Sequence, residues 1–180
     1  MILLGIDPGL TGALAWIYAD ANGLPIVRAL EDMPVVARSR GKGNQVDAAA
    51  LARLLRAEPA DLTLVEEIWG LPPLRASRTG APVRAGTTST FSFGESCGVI
   101  RGVLAALDRP VQYVPPQTWR TKAGLTGQGK DASRGVAARL HPEAAGRLTR
   151  STKDHGRADA ILIARAGLPF ARSAGVDGLM

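Results

Sequence analysis

The sequence contains a single cysteine, Cys97, so no intramolecular disulfide and no multi-cysteine zinc cluster can be built. A stapled secreted fold and a zinc finger are both excluded, and Cys97 reads most simply as a small core residue. No apolar run approaches the roughly 18 residues needed to span a bilayer. The first apolar stretch, Ile2 to Ile6, lacks the basic lead and the length of a signal peptide, which predicts a cytoplasmic protein with no membrane partner. Internal repeats and low-complexity segments are missing as well. What is there is 180 residues, 46% of them apolar, too apolar for a disordered chain and the right length for one domain with one sizeable core.

Acids are scarce in particular places. The formal charge is +6, yet Arg109 to Arg157 holds ten Lys or Arg against three acids, and Gly70 to Thr90 holds Arg75, Arg78 and Arg84 with none. Such local excess predicts a polyanionic partner.

Apolar runs at Ile2–Asp7, Ala13–Tyr18 and Ile26–Leu30, separated by Pro8-Gly9 and by Ala19 to Gly23, predict an antiparallel three-stranded meander. Gln45 to Ala57 has helical spacing, with Asn44 or Asp47 available as a cap. Leu62 to Ile68 reads as a buried strand ending in Glu66 and Glu67. The proline- and glycine-rich stretch from Gly70 to Thr88 reads as a mobile basic loop. A helix follows over Ser89–Leu107, with Gly94, Gly98 and Gly102 recurring every four residues. Each glycine costs a helix about 1 kcal/mol relative to alanine, so this ridge predicts a backbone lying close against it, in a partner copy or in the sheet. A strand at Val111–Val114 and helices at Gln117–Lys122, Lys130–Leu140 and Asp154–Ala166 complete the order, which predicts a mixed α/β sheet flanked by helices.

Asp7 stands at the end of an apolar strand just before Pro-Gly, where a carboxylate is costly unless something binds it. Glu66 ends a second such strand. Side chains alternate along a strand, so only one of Glu66 and Glu67 can share a side with Asp7, and Glu66 is the expected one. In a helix His155 and Asp159, four apart, share a face, whereas Asp154 points elsewhere. His141, just before Pro142, has no such partner and reads as structural. Asp7, Glu66, His155 and Asp159 would make an oxygen-rich site suited to magnesium or manganese rather than zinc. Two such ions can activate water and stabilise the leaving oxygen of a phosphodiester, and with a basic surround this predicts a metal-dependent nuclease.

Gly5-Ile6-Asp7-Pro8-Gly9 with Thr11-Gly12-Ala13, Leu64-Val65-Glu66, Phe93-Gly94 with Gly98, Trp119-Arg120, Gly124-Leu125 leading to Lys130, and Ala158-Asp159-Ala160 form an ordered set covering most of the chain. The set resembles the RuvC-type Holliday-junction resolvases of the RNase H-like superfamily, in particular their bacteriophage-type branch. The resemblance implies a five-stranded sheet in the order 3-2-1-4-5, a nuclease domain over 1–170 with a C-terminal tail over 171–180, a homodimer, and two-magnesium cleavage of Holliday junctions and other branched DNA. Manganese is expected to substitute, and no nucleotide cofactor is expected. By position Asp7, Glu66 and Asp159 match the family's metal-binding carboxylates. The bacterial enzymes place an acid or histidine where this chain has Gly156, so His155 or Asp154 must substitute. Lys122, Lys130 and Lys153, with Arg75, Arg78 and Arg84 of the loop, are the candidate contacts to DNA phosphates. The alternatives are another RNase H-like nuclease acting on RNA, such as ribosomal RNA precursors, and a catalytically silent DNA-binding module. A sugar-kinase or chaperone-type ATPase needs two such domains to enclose its nucleotide, and 180 residues hold one.

Overall fold

The structure, a computed structural model, describes residues 1–20, 23–39, 42–67, 75–76, 82–83, 87–129, 131–150 and 154–168, with backbone alone at 75–76, 82–83 and 87–89. The expected tail over 171–180 lies outside the described residues.

Three strands open the chain: β1 (Ile2–Ile6), β2 (Ala13–Ala19) and β3 (Pro25–Asp32), paired antiparallel as the apolar runs predict. Two residue triplets, β4 (Val35–Ala37) and β5 (Asn44–Val46), pair beside them. Helix α1 (Ala48–Ala57) starts only after β5, because the Asp47 carboxylate accepts from the Ala50 amide at 2.9 Å and caps it. The helix predicted from Gln45 therefore loses its first turn to a strand. β6 (Leu62–Glu66) returns parallel to β1, and β9 (Val111–Val114) lies parallel to β6 on its far side. Between them, β7 (Arg75–Ala76) and β8 (Pro82–Val83) form a two-residue antiparallel ladder inside the segment expected to be irregular, and α2 runs over Thr87–Ala106. After β9 come α3 (Pro116–Lys122), α4 (Ala132–Leu140), a 3-10 turn (Pro142–Arg147) and α5 (His155–Ala166).

The central sheet runs β3-β2-β1-β6-β9, the expected mixed five-stranded order. Alternation along the strands sorts the core into two layers. Leu3, Ala13, Ala15, Ile17 and Leu64 pack against Trp119 of α3, Val136 of α4 and Ile161 of α5. Leu4, Ile6, Leu14, Trp16 and Val65 pack against Leu51 and Leu55 of α1 and Ile100 and Leu104 of α2. Close approach of α5 depends on Gly5: a Cβ there would lie 2.1 Å from the Ala160 carbonyl oxygen. The α2 glycines behave oppositely. Gly94, Gly98 and Gly102 are exposed, and a Cβ on any of them would meet nothing within 4 Å among the described residues, so the ridge does not pack against the sheet. Among the described residues no helix is long and apolar enough to cross a membrane.

Candidate active site

The strand alternation that builds the core also aims the acids. Leu3 and Gly5 face α5, so Asp7, two residues on, continues toward that side; Leu62 and Leu64 do the same, and Glu66 follows them. Because Ile6 pairs with Val65 in the parallel register, Asp7 and Glu66 end neighbouring strands side by side. Glu67 falls on the opposite face, and its amide continues the ladder by donating to the Val114 carbonyl at 2.9 Å.

Local geometry fixes both carboxylates. The Asp7 amide donates to the Ala13 carbonyl at 3.0 Å, and the Gly12 amide closes the turn onto Gly9 at 2.9 Å. A Cβ at Gly12 would lie 2.0 Å from the Asp7 carbonyl oxygen, so only glycine fits this tight return. The Glu66 Oε1 accepts from the indole Nε1 of buried Trp119 at 3.0 Å. The sequence pattern placed Trp119 in a motif but did not reveal this contact, which depends on α3 folding back over the end of β6.

The first turn of α5 is seated on the Asp7 loop. A Cβ at Gly156 would meet the Thr11 carbonyl oxygen at 2.4 Å and the Asp7 Oδ2 at 3.1 Å. No side chain fits at the position where the bacterial enzymes carry a ligand. Arg157 anchors the same turn to β3 through Asp32, at 2.6 and 2.9 Å.

Asp154 and His155, between which the sequence left the choice open, have different partners. Asp154 is fully buried and accepts from Arg150 Nε and Nη2 at 3.1 and 2.9 Å, with Arg157 at 3.6 Å. Burial alone would raise its pKa, but the hydrogen bonds and charge of Arg150 outweigh that and hold it below the usual range. It is a structural anion. His155 has its Nε2 3.4 Å from Asp131 Oδ1, while its Nδ1 is buried with no hydrogen-bond partner among the described residues. A buried ring nitrogen without a partner is costly unless a ligand supplies one. Asp159 lies one turn further along α5.

These donors have the chemistry of a magnesium or manganese site, carboxylate oxygens with one imidazole. Among the described residues, no three His, Cys, Asp or Glu side chains are grouped closely enough to hold an ion together. What stands ready is a pair of strand-end acids with the start of α5 pressed against one of them, not a closed cage. Cys97 is half-buried rather than a core residue. Burial pushes its thiol pKa up, the charges of Asp7 and Glu66 add to the rise, and Arg101 opposes it, so Cys97 borders the site.

Of the candidate phosphate contacts, Lys122 donates from Nζ to the Ala166 carbonyl at 2.9 Å, at the C-terminal end of α5, about 10 Å along the axis from Asp159. Arg75 is described in backbone only, within β7. Arg78, Arg84, Lys130 and Lys153 lie outside the described residues.

No family model matches the chain. Over 145 residues, 74% of its length, it is 34% identical to the chloroplastic Holliday junction resolvase MOC1 of Chlamydomonas reinhardtii, and this match spans 16% of that relative. Among solved structures, Thermus thermophilus RuvC superposes with a TM-score of 0.63 at 19% identity, covering 97% of both chains. The same enzyme in complex with a Holliday junction substrate gives 0.58 at 18%, covering 96% of both. The fowlpox virus resolvase with its substrate junction gives 0.51 at 14%, covering 95% of this chain and 99% of that one. The chain thus has the fold of the RuvC resolvases, with the same sheet order, and over three quarters of its length it is similar in sequence to a Holliday junction resolvase.

Proposed function

We propose that this protein is a metal-dependent, structure-selective endodeoxyribonuclease that cleaves Holliday junctions and other branched DNA. The single observation that carries the reading is the meeting of Asp7 and Glu66 on the α5 side of two adjacent parallel strands, with the His155–Asp159 turn of α5 seated beside them. Asp7, Glu66, Asp159 and His155 would hold two magnesium ions, with manganese able to substitute; bound there, they would activate water and stabilise the departing oxygen of a phosphodiester. The chain's own residues orient these groups. Trp119 fixes the Glu66 carboxylate by its indole hydrogen bond. Gly12 and Gly156 hold Asp7 against α5. The buried Asp154 ties the segment before α5 to Arg150 and Arg157.

Cutting both strands of a junction requires two active sites at fixed separation, so the working form is a homodimer. The exposed ridge of Gly94, Gly98 and Gly102, with Phe91 68% exposed beside it, supports pairing through α2. Arg75, Arg78 and Arg84, together with Lys130 and Lys153, would supply phosphate contacts, which add affinity without reading sequence.

The test is incubation of purified protein and magnesium with labelled four-way, three-way and linear duplex DNA and with structured RNA. Paired, symmetrical nicks across the four-way junction are expected. Cleavage confined to RNA, or binding to DNA without any cut, would overturn the reading.

A further inference from the structure

The chain's two histidines use their ring nitrogens differently. In His141 both are taken inside the protein: Nδ1 lies 3.0 Å from Glu143 Oε1, and Nε2 lies 3.4 Å from Arg165 Nη1. In His155 one is taken and the other is left over. Nε2 lies 3.4 Å from Asp131 Oδ1, and the buried Nδ1 has no hydrogen-bond partner among the described residues.

Asp131 reaches His155 at the expense of its usual task. It stands at the N-cap of α4, where an aspartate ordinarily turns its side chain back to accept from an amide of the first helical turn. Here it makes no such bond. Asp47, the N-cap of α1, does make it, so the difference does not lie in residue type. Asp131 Oδ1 instead accepts from Arg134 Nη2 at 3.2 Å and lies within reach of His155 on α5. A pair with Arg134 would by itself be a sufficient use for an exposed aspartate, and such pairs add little. It does not account for the His155 contact or for the bare nitrogen on the other side of that ring.

The chemistry of the ring connects the two. A carboxylate only accepts, so the nitrogen facing Asp131 is the one that carries a proton. As a metal ligand imidazole is neutral and has a single N–H, which leaves Nδ1 with its lone pair. A buried lone pair without a donor is costly unless a ligand takes it. Histidines that bind metals give their other N–H to a carboxylate, a carbonyl or water, which fixes the tautomer and the plane of the ring. The two partners here are anchored from separate elements, since Val136 and Ala137 of α4 share a core with Ile161 of α5.

Building on the metal-dependent reading, we propose that Asp131 is a positioning residue for His155: by accepting from Nε2 it presents Nδ1 as the nitrogen that takes the divalent ion.

The test is manganese binding without DNA, read by electron paramagnetic resonance, for the parent, Asp131→Ala and Asp131→Asn, and for His155→Ala with and without Asp131→Ala. Asp131 is exposed, so its variants are expected to fold, and melting temperatures check this. Asp131→Ala should bind manganese about tenfold more weakly. Asp131→Asn, which loses the charge but keeps an oxygen that accepts from Nε2, should recover most of that loss. With His155 already replaced by alanine, Asp131→Ala should change nothing further. In protein carrying isotopically labelled histidine, magnesium should move the Nδ1 resonance of His155, leave its Nε2 protonated and leave His141 as it was. Asparagine as weak as alanine would mean that the carboxylate acts by its charge or touches the ion itself, and would overturn the proposal. So would an equal loss in the His155→Ala background, or a magnesium shift at Nε2 instead of Nδ1. Alanine affinity equal to the parent's, with a lowered melting temperature, would also overturn it and leave Asp131 as a tie between α4 and α5. A parent that binds manganese but cuts no DNA sinks the nuclease reading and leaves this comparison intact.

Discussion

Glycines recur in the layers on both sides of the sheet, with opposite surroundings. Beneath α5, Gly5, Gly12 and Gly156 sit where a methyl group would come within 2.1, 2.0 and 2.4 Å of a backbone oxygen. Along α2, Gly94, Gly98 and Gly102 have nothing within 4 Å of such a methyl group among the described residues. The first set is consumed inside the chain. It lets α5 lie closely on β1 and seats the Gly156 turn of α5 on the Asp7 loop. The second set costs the helix about 1 kcal/mol per residue and meets nothing among the described residues of its own chain, which supports the proposed pairing of two copies through α2.

The sharpest way to break this contrast is alanine at both kinds of position. Gly5→Ala drives a methyl into backbone and should cost roughly 3 kcal/mol or more, measured by denaturant unfolding, with insoluble expression as the extreme. Gly102→Ala meets open space and gains helix propensity, so at concentrations where the chain is monomeric it should raise stability by up to about 1 kcal/mol. Equal effects of the two changes would end the contrast.

A bulkier probe sharpens the second half. Gly98→Leu leaves the monomer's own packing untouched and should shift the protein from dimer to monomer in sedimentation, with junction cleavage losing its paired character. A dimeric, fully active Gly98→Leu protein would remove α2 from the interface.

Asp154 and His155, adjacent in sequence, should separate in the same way. Asp154→Asn strikes the hydrogen bonds to Arg150 and should lose about 1.5–3 kcal/mol of stability. His155→Ala should unfold at nearly the parent's midpoint yet lose cleavage by two orders of magnitude or more. The reverse pattern would exchange their roles.

How much of this was legible in the sequence follows the range of the interactions. The five strands of the central sheet and α2 are set by apolar runs and spacing over a few residues, and they appear where those patterns put them. β5 was not legible, since Val46 fits the helical spacing of Ala50 and Leu54 as well as it fits a strand; only pairing with Val35 decides. Alternation allowed only one of Glu66 and Glu67 to share a side with Asp7, and the parallel register of β1 and β6, invisible in the sequence, puts Glu66 on that side. The roles of Asp154 and Trp119 were not legible, because each is defined by a contact, to Arg150 across a turn and to Glu66 across 53 residues, that no local pattern encodes. The place of Cys97 beside the acids was hidden for the same reason.

The smallest expected effect concerns pH on the α5 side. Burial holds the His141 pKa below its ordinary 6.5, against the opposing pull of Glu143. An unfolded histidine takes up a proton near 6.5 and the folded one resists it, so the unfolded state binds more protons below that pH. Stability is therefore complete above about 6.5 and declines as pH falls from there through the folded-state value. Unfolding curves at pH about 7.5 and 5.5 should show this loss, and His141→Asn should reduce it. A parent protein equally stable at both would contradict the burial argument.

The central claim is that Asp7, Glu66, Asp159 and His155 form one divalent-metal site at the ends of β1 and β6. Anomalous scattering from manganese-soaked crystals tests it most directly. The account predicts manganese peaks bounded by these four side chains in the parent and their loss in Asp7→Asn; peaks elsewhere, or none at saturating manganese, would contradict it.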